Sequence, residues 1–140
     1  MANIKAFINA APTGTKEIIV SERFKDDNGN VVPFKIRTLT QDESEQLRKK
    51  STRPVKKNGV VISESVDTLA LTKETILACV VEPDLRNPEL NKAYGTLDPL
   101  DVAGKMLLPG EYSKLSNAIL EFNGFGEDAT EILAEEAKNS

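Results

Sequence analysis

Four prolines divide the second half of the 140-residue chain, and they limit its fold more than any other feature. They are Pro83, Pro88, Pro99 and Pro109. Proline lacks a backbone N–H and disfavours helical geometry in the residue before it, so one long helix through this region is disfavoured. Proline is well suited, however, to the first turn of a helix. The spacing therefore predicts short helices that begin at the last three prolines.

A capping box predicts another helix upstream. Thr40 is followed three residues later by Glu43, so each side chain can bond the other's backbone N–H. The helix should cover about residues 41–51. Because Leu47 is its only strongly apolar residue, we expect it to lie on the surface.

A longer helix is predicted after a loop. Asp67 or Thr68 can cap it, and it should end near Glu82, because the next residue is a proline. The preceding stretch contains proline and an Asn-Gly pair, so it is predicted to be a loop with one weak strand at residues 59–63.

The N-terminal third carries the strongest strand signal. Two strand-like runs flank the sequence DDNGN, which predicts an antiparallel hairpin. A three-residue loop at residues 27–29 gives its glycine the left-handed backbone that such loops require. That register places Phe24 opposite Val32 and Val20 opposite Ile36, with apolar side chains on one face.

These patterns predict an α+β fold, in which a small N-terminal antiparallel β-hairpin or sheet is followed by a mainly α-helical body. The length fits a single domain, residues 1–140. Its predicted parts are an N-terminal arm (1–15), the β-hairpin (16–39), the helical body (40–125) and an acidic C-terminal helix or tail (126–140).

The residue types present exclude most catalytic chemistry. Histidine is absent and Cys79 is the only cysteine, so Ser-His-Asp and Cys-His systems, histidine zinc sites and an intrachain disulfide are excluded. Cys79 lies near the C-terminal end of a predicted apolar helix, where we expect a small buried side chain rather than a nucleophile. We expect no enzyme activity, no cofactor and no metal site.

The charge distribution and the hydropathy of the chain limit the kinds of partner that it could bind. No apolar run is long enough for a signal peptide or a membrane span, so we expect a soluble cytoplasmic protein without membrane contact. Residues 1–70 carry 12 Lys and Arg against 9 Asp and Glu, whereas residues 71–140 carry 6 against 13. This split argues against a uniformly basic nucleic-acid binder.

Two apolar stripes near the chain ends are candidate protein-binding sites. Ile4, Phe7 and Ile8 have helical spacing, and they belong either to a terminus packed on the body or to a partner-binding arm. Ile132 and Leu133 lie within the acidic last segment and are either core or contact residues.

A cationic cluster is the third candidate site, and we call it the basic run. Its six charges fall within ten residues that contain no acid: Arg48, Lys49, Lys50, Arg53, Lys56 and Lys57. It is either a solvated surface or a docking patch for an acidic protein segment. No aromatic side chain is interleaved for base stacking, so nucleic acid is the weakest alternative.

Two stretches of the sequence resemble one known family. They are RFKDDNGNVVPFKIRTLTQDESEQLRK and CVVEPDLRNPELNKAYGTLDPLDVAGKMLLPGEYSKLSNAILEFNGF. Both are similar to the tail assembly chaperones of PBSX-type prophages and contractile-tailed phages, the XkdN-like family. The resemblance spans about residues 17–125, and its most specific parts are PDL-x-N-x-EL…YG and LPGEY…NGF.

The resemblance implies a non-catalytic role in tail morphogenesis. Such a chaperone would act in the cytoplasm of the bacterial host, where it would bind the tape-measure protein, keep it soluble and help to recruit tail-tube protein. The alternative is a structural tail component that is retained in the virion.

The charge split also suggests weak self-association. The acidic last segment of one copy could meet the basic run of the next in a head-to-tail contact. Such a contact should weaken with salt, because exposed charges are screened.

Overall fold

The structure is a computed structural model, and it describes residues 3–125. It contains helices and antiparallel strands, which confirms the predicted α+β fold with a small N-terminal sheet. The elements in chain order are α1 (Ile4–Ile8), β1 (Thr15–Ile18), β2 (Phe34–Arg37), α2 (Gln41–Lys50), β3 (Thr52–Lys57), β4 (Val60–Val66), α3 (Thr68–Cys79), β5 (Val80–Glu82), α4 (Pro88–Ala93), α5 (Pro99–Met106) and α6 (Pro109–Phe122).

Strand β2 is the middle of a three-stranded sheet with the order β1-β2-β5. It pairs antiparallel with both neighbours, and Ile36 lies opposite Lys16 on one side and Val80 on the other. Phe34 and Ile36 are buried, whereas the residues between and after them are only partly buried. This alternation turns one face of the strand toward the helices, as the period of two requires.

The tip of the first hairpin has the predicted register. Val32 donates its N–H to the carbonyl oxygen of Phe24 at 2.8 Å, and Lys25 forms a bridge with Val31. Gly29 has a φ of 81°, the left-handed conformation expected at the end of this three-residue loop.

The predicted pairing of Val20 with Ile36 is wrong, because Lys16 takes that place. Residues 19–23, which follow β1, are not paired with the opposite strand. They lie opposite Pro33, which has no N–H to donate. The excursion still buries Val20, of which 4% remains exposed. Burial of the apolar side chain is thus retained although the strand pairing is not.

The helix starts agree with the sequence. Glu43 N donates to Thr40 Oγ1 at 3.2 Å and Thr40 N donates to Glu43 Oε1 at 3.1 Å, so the predicted capping box is present at α2. Helices α4, α5 and α6 begin at Pro88, Pro99 and Pro109, as predicted, but α6 is longer than expected, with 14 residues.

Helix α3 ends earlier than predicted. It stops at Cys79 rather than near Glu82, and the next three residues form β5 on the free edge of β2. Val80 and Val81 are β-branched residues, which suit a strand. The available sheet edge therefore decides where the helix ends.

The predicted loop with one weak strand is a second hairpin, which we call the β3–β4 hairpin. Its strands pair antiparallel from Thr52 opposite Val66 to Lys57 opposite Val60. Asn58 and Gly59 both have positive φ, 54° and 79°, which is the two-residue turn that matches the twist of paired strands. The Asn-Gly signal therefore marked a hairpin rather than a loop.

One core lies between the sheet and helices α3, α5 and α6. Its fully buried members include Ile36 from β2, Val102 from α5, and Leu115 and Ile119 from α6. Leu85, which precedes α4, closes one side and is 2% exposed. The core cluster includes no residue of the β3–β4 hairpin.

An ion pair joins residues 19–23, the unpaired segment after β1, to α6. Arg23 donates from Nε to Glu111 Oε2 at 3.2 Å and from Nη2 to the carbonyl oxygen of Met106 at 3.0 Å. Glu111 also accepts from Leu108 N at 2.8 Å. Hydrogen bonding, mainly from Arg23, lowers the pKa of Glu111 to about 2.

Replacing Ile36 with alanine should destabilise the protein by about 3 kcal/mol, because the change leaves a cavity in the fully buried centre of the sheet. Ile62 is the matched control, since it is 60% exposed, and Ile62→Ala should change stability by less than about 0.5 kcal/mol. Urea unfolding measures both values. Equal losses would contradict the position of the core.

Glu111→Gln should weaken the dependence of stability on pH in the acid range. The folded pKa of Glu111 is about 2 and its ordinary value is 4.5, so its carboxylate stabilises the fold above pH 4.5 and loses that effect as the pH falls toward 2. The melting temperature of the variant should be lower at neutral pH and converge with that of the parent near pH 2. Glu121→Gln, at an exposed position, should leave the profile unchanged.

Candidate protein-binding surfaces

The thiol is not placed for catalysis. Cys79 is fully buried at the end of α3, as predicted, and burial raises its pKa to about 11. A thiol of this kind is protonated and shielded at neutral pH. Within residues 3–125, no cluster of three or more His, Cys, Asp or Glu side chains could hold a metal ion.

The N-terminal arm forms a helix of five residues that does not pack on the body. Ile4, Phe7 and Ile8 are 66%, 73% and 70% exposed. Asn3 caps this helix by accepting from Lys5 N at 3.1 Å. A terminus packed on the body, one of the two alternatives from the sequence, would bury these side chains. The three apolar side chains instead face solvent.

The basic run is continuous across two elements and exposed throughout. Its first three residues complete α2, where cations favour the negative end of the helix dipole. Its other three lie on β3. Arg53 joins the two parts, because its Nη1 donates to the carbonyl oxygen of Lys50 at 2.6 Å. Whether the run binds an acidic partner stays a prediction.

The β3–β4 hairpin is a surface that the sequence analysis missed. Val60, Val61 and Ile62 are 64%, 54% and 60% exposed, and Val55 on the facing strand is 38% exposed. Exposed apolar side chains that are grouped together, rather than scattered singly, are typical of interaction sites. The sequence signal was the Val-Val-Ile run directly after Asn-Gly.

The base of the hairpin is fixed to the body at one buried residue. Ser51 is fully buried, and its Oγ donates to the carbonyl oxygen of Leu47 at 2.9 Å. Its own carbonyl oxygen accepts from Asp67 N at 2.7 Å. The two ends of the hairpin therefore meet at the junction of α2 and α3.

Helices α2 and α3 border an open groove, which we call the α2–α3 groove. It has a volume of about 280 Å³ and is open to solvent. Its apolar lining comes from Leu39, Leu47 and Leu77, which lie after β2, on α2 and on α3. The apolar strip is short, and charged side chains surround it.

The charges around the groove are only partly paired. Arg37 and Glu43 form an ion pair at 3.2 Å, so they largely neutralise each other. Lys50 and Arg86 also line the groove, and no ion pair joins either of them to a described carboxylate. Glu74 on α3 also lines the groove, and no ion pair joins it to a described cation. The three unpaired side chains therefore carry a net charge of +1.

Ile132 and Leu133, the remaining candidate residues, lie outside the described residues, as does the rest of the acidic segment. Among residues 3–125, no helix combines the length and apolar character needed to cross a bilayer.

These features describe a protein with exposed apolar and cationic surfaces and a buried thiol. A model of the phage XkdN-like tail assembly chaperone family matches residues 4–138. The chain belongs to the XkdN-like family of phage tail assembly chaperones, which confirms the resemblance found in the sequence.

Two relatives come from Bacillus subtilis (strain 168). They are the phage-like element PBSX protein XkdN and the uncharacterized protein YqbN, each 37% identical over 126 residues. Each match covers 88% of this chain and 83% of the relative. The crystal structure of the protein YqbN has the same fold, with a TM-score of 0.73 at 29% identity, and the match covers 90% of this chain and 99% of that one.

Cys79 should react with a thiol reagent only when the chain unfolds. A pKa of about 11 against an ordinary value of 9.0 lowers the thiolate fraction about 100-fold at neutral pH, and burial adds a steric barrier. The rate of labelling in buffer and in urea measures this difference. Labelling of the folded protein at the unfolded rate would contradict a buried thiol.

Proposed function

We propose that this chaperone binds the tape-measure protein of its phage or prophage, keeps it soluble and assists assembly of the tail tube around it, without catalysis. Membership of the tail assembly chaperone family supports the general role. The observation that carries the finer proposal is the β3–β4 hairpin, which exposes apolar side chains outside the core.

A tape-measure protein is long, largely helical and striped with apolar residues, so its holder needs exposed apolar surface rather than a pocket. The hairpin offers such a surface on both faces. Cross-strand neighbours share a face, so Lys56 lies beside Val61 and Lys57 beside Val60. Each face thus combines an apolar side chain with a cation, which suits a partner with apolar and acidic residues.

The N-terminal arm supports a second contact. Ile4, Phe7 and Ile8 are exposed on a short helix that the body does not cover. Such a helix can insert its apolar side chains between those of a helical partner. The arm and the hairpin together would hold one partner at two places, which raises the overall affinity when the geometry allows both contacts.

A non-catalytic role in the host cytoplasm is part of the proposal. The buried, protonated Cys79 supports it, because the thiol is neither ionised nor accessible. Tail-tube protein is a further partner in this proposal, whereas nucleic acid and membrane are not.

Co-expression with the neighbouring tape-measure protein tests the role. The chaperone should co-purify with it and raise its soluble fraction. Val61→Asp with Ile62→Asp should abolish both effects, because the change places two charges on the apolar contact surface. The variant should remain folded, since both positions are exposed.

Leu97→Asp is the matched control. Leu97 is 98% exposed and lies between α4 and α5, away from the hairpin. It should retain binding. Equal loss in the two variants would contradict the hairpin as the contact surface, and no co-purification of the parent protein would contradict the proposed partner.

A structural tail component is the alternative function. Mass spectrometry of purified tails separates the two roles, because a chaperone should be missing from the finished particle. Its presence at a fixed ratio to tube subunits would favour the structural role.

A further inference from the structure

The register of the β3–β4 hairpin sorts its side chains onto two faces. Residues that are paired across the strands share a face, and successive residues of a strand alternate between faces. Arg53 is paired with Ser65, and Lys57 is paired with Val60. The face that contains these pairs is called the cationic face, and its paired residues are Arg53, Val55, Lys57, Val60, Ser63 and Ser65.

The opposite face of the hairpin, which we call the neutral face, has a different charge. Its residues are Thr52, Pro54, Lys56, Val61, Glu64 and Val66. Lys56 and Glu64 give this face one cation and one carboxylate, so its net charge is zero. The cationic face carries Arg53 and Lys57 without a carboxylate, because Glu64 is the only acid in residues 52–66. The two faces of one hairpin therefore differ by two charges.

A bulge adds Ile62 to the cationic face. The register shifts where Val55 pairs with Ser63 while the next residue, Lys56, pairs with Val61. Ile62 is the extra residue of β4, so it and Ser63 both lie opposite Val55 and share its face. Three of the hairpin's four large, exposed apolar side chains therefore belong to the cationic face.

Charge and apolar surface lie side by side on the cationic face. Both cations are on β3, four residues apart, which is roughly 13 Å along a strand. Val60 and Ile62 are on β4. Arg53 donates to the carbonyl oxygen of Lys50 through Nη1 alone, which leaves its Nε and Nη2 donors for a carboxylate. Lys57 forms no ion pair with a described carboxylate.

We propose that the β3–β4 hairpin binds its partner through the cationic face, and that the partner segment is an amphipathic helix whose apolar stripe is flanked by carboxylates. The stripe packs on Val55, Val60 and Ile62, and the carboxylates face Arg53 and Lys57. This inference rests on the proposed function, which it deepens by naming one face of the hairpin and the charge of the segment that it binds.

The separation of the two cations sets the spacing of the partner's carboxylates. A helix advances about 1.5 Å per residue, so carboxylates seven residues apart are separated by roughly 10 Å and lie on the same side of the helix. The long side chains of Arg53 and Lys57 cover the remaining distance. The partner segment should therefore carry Asp or Glu two helical turns apart, beside its apolar stripe.

The neutral face does not suit such a helix. Glu64 repels the carboxylates that Lys56 attracts, so the net electrostatic attraction of this face is small. Binding at the cationic face should depend on salt, because exposed charges are screened.

Neighbouring valines of β4 provide a matched pair of variants. Val60 lies on the cationic face and Val61 on the neutral face, and they are 64% and 54% exposed, so both variants should fold. Val60→Asp should lower the amount of tape-measure protein that co-purifies at least about tenfold, because it sets a carboxylate against an acidic helix. Val61→Asp should lower it less than about twofold. In the double variant of the co-expression test, the loss is thus due to Ile62→Asp.

Neighbouring lysines of β3 provide a second matched pair, with the same change of charge. Lys57→Glu should lower co-purification at least about tenfold in low salt, whereas Lys56→Glu should lower it less than about twofold. The difference between the parent and Lys57→Glu should shrink in 1 M salt, where the screening length is about 3 Å. A loss caused by misfolding would not depend on salt in this way.

Cross-linking of the complex locates the contact without any substitution. A carbodiimide joins an ammonium group to a carboxylate that touches it, and mass spectrometry identifies the two residues. Lys57 should be joined to an Asp or Glu of the tape-measure protein, with a second acid seven residues away. Cross-links through Lys56 in place of Lys57 would overturn the face assignment.

The outcomes separate this inference from the function on which it rests. Absence of co-purification with the parent protein would remove the proposed partner and this inference together. Co-purification that is retained in all four single variants, or lost equally in both members of each pair, would leave the proposed partner standing and overturn binding through the cationic face.

Discussion

Strand β2 holds the structure together, because both of its edges and its apolar face are occupied. β1 pairs with one edge and β5 with the other, so the four residues Phe34–Arg37 join distant parts of the chain. Ile36 is fully buried against the helices. The side chain of Arg37 also links the strand to α3, because its Nε donates to the carbonyl oxygen of Ala78 at 2.8 Å, near the end of that helix.

Local signals were enough to predict the elements that depend on neighbouring residues. The capping box at Thr40 and the prolines at the starts of α4, α5 and α6 act through backbone groups within one turn, so the sequence shows them directly. The hairpin tip at Gly29 was predictable for the same reason.

Elements that depend on distant partners were not predictable in this way. The end of α3 at Cys79 requires the edge of β2, which lies more than forty residues earlier in the chain. The excursion at residues 19–23 depends on Arg23 reaching α6. Of the candidate binding residues, Ile4, Phe7 and Ile8 were found from their spacing, but only the structure shows that they are exposed. The β3–β4 hairpin was missed because its Asn-Gly turn was interpreted as a loop.

The closure of the β3–β4 hairpin at its base has an evolutionary consequence. Because the carbonyl oxygen of Ser51 meets the N–H of Asp67 at 2.7 Å, the fifteen intervening residues enter and leave the body at one point. An insert with this geometry can be exchanged or resized without moving the helices that flank it. The hairpin can therefore diverge between relatives on a scaffold whose folding is inherited unchanged.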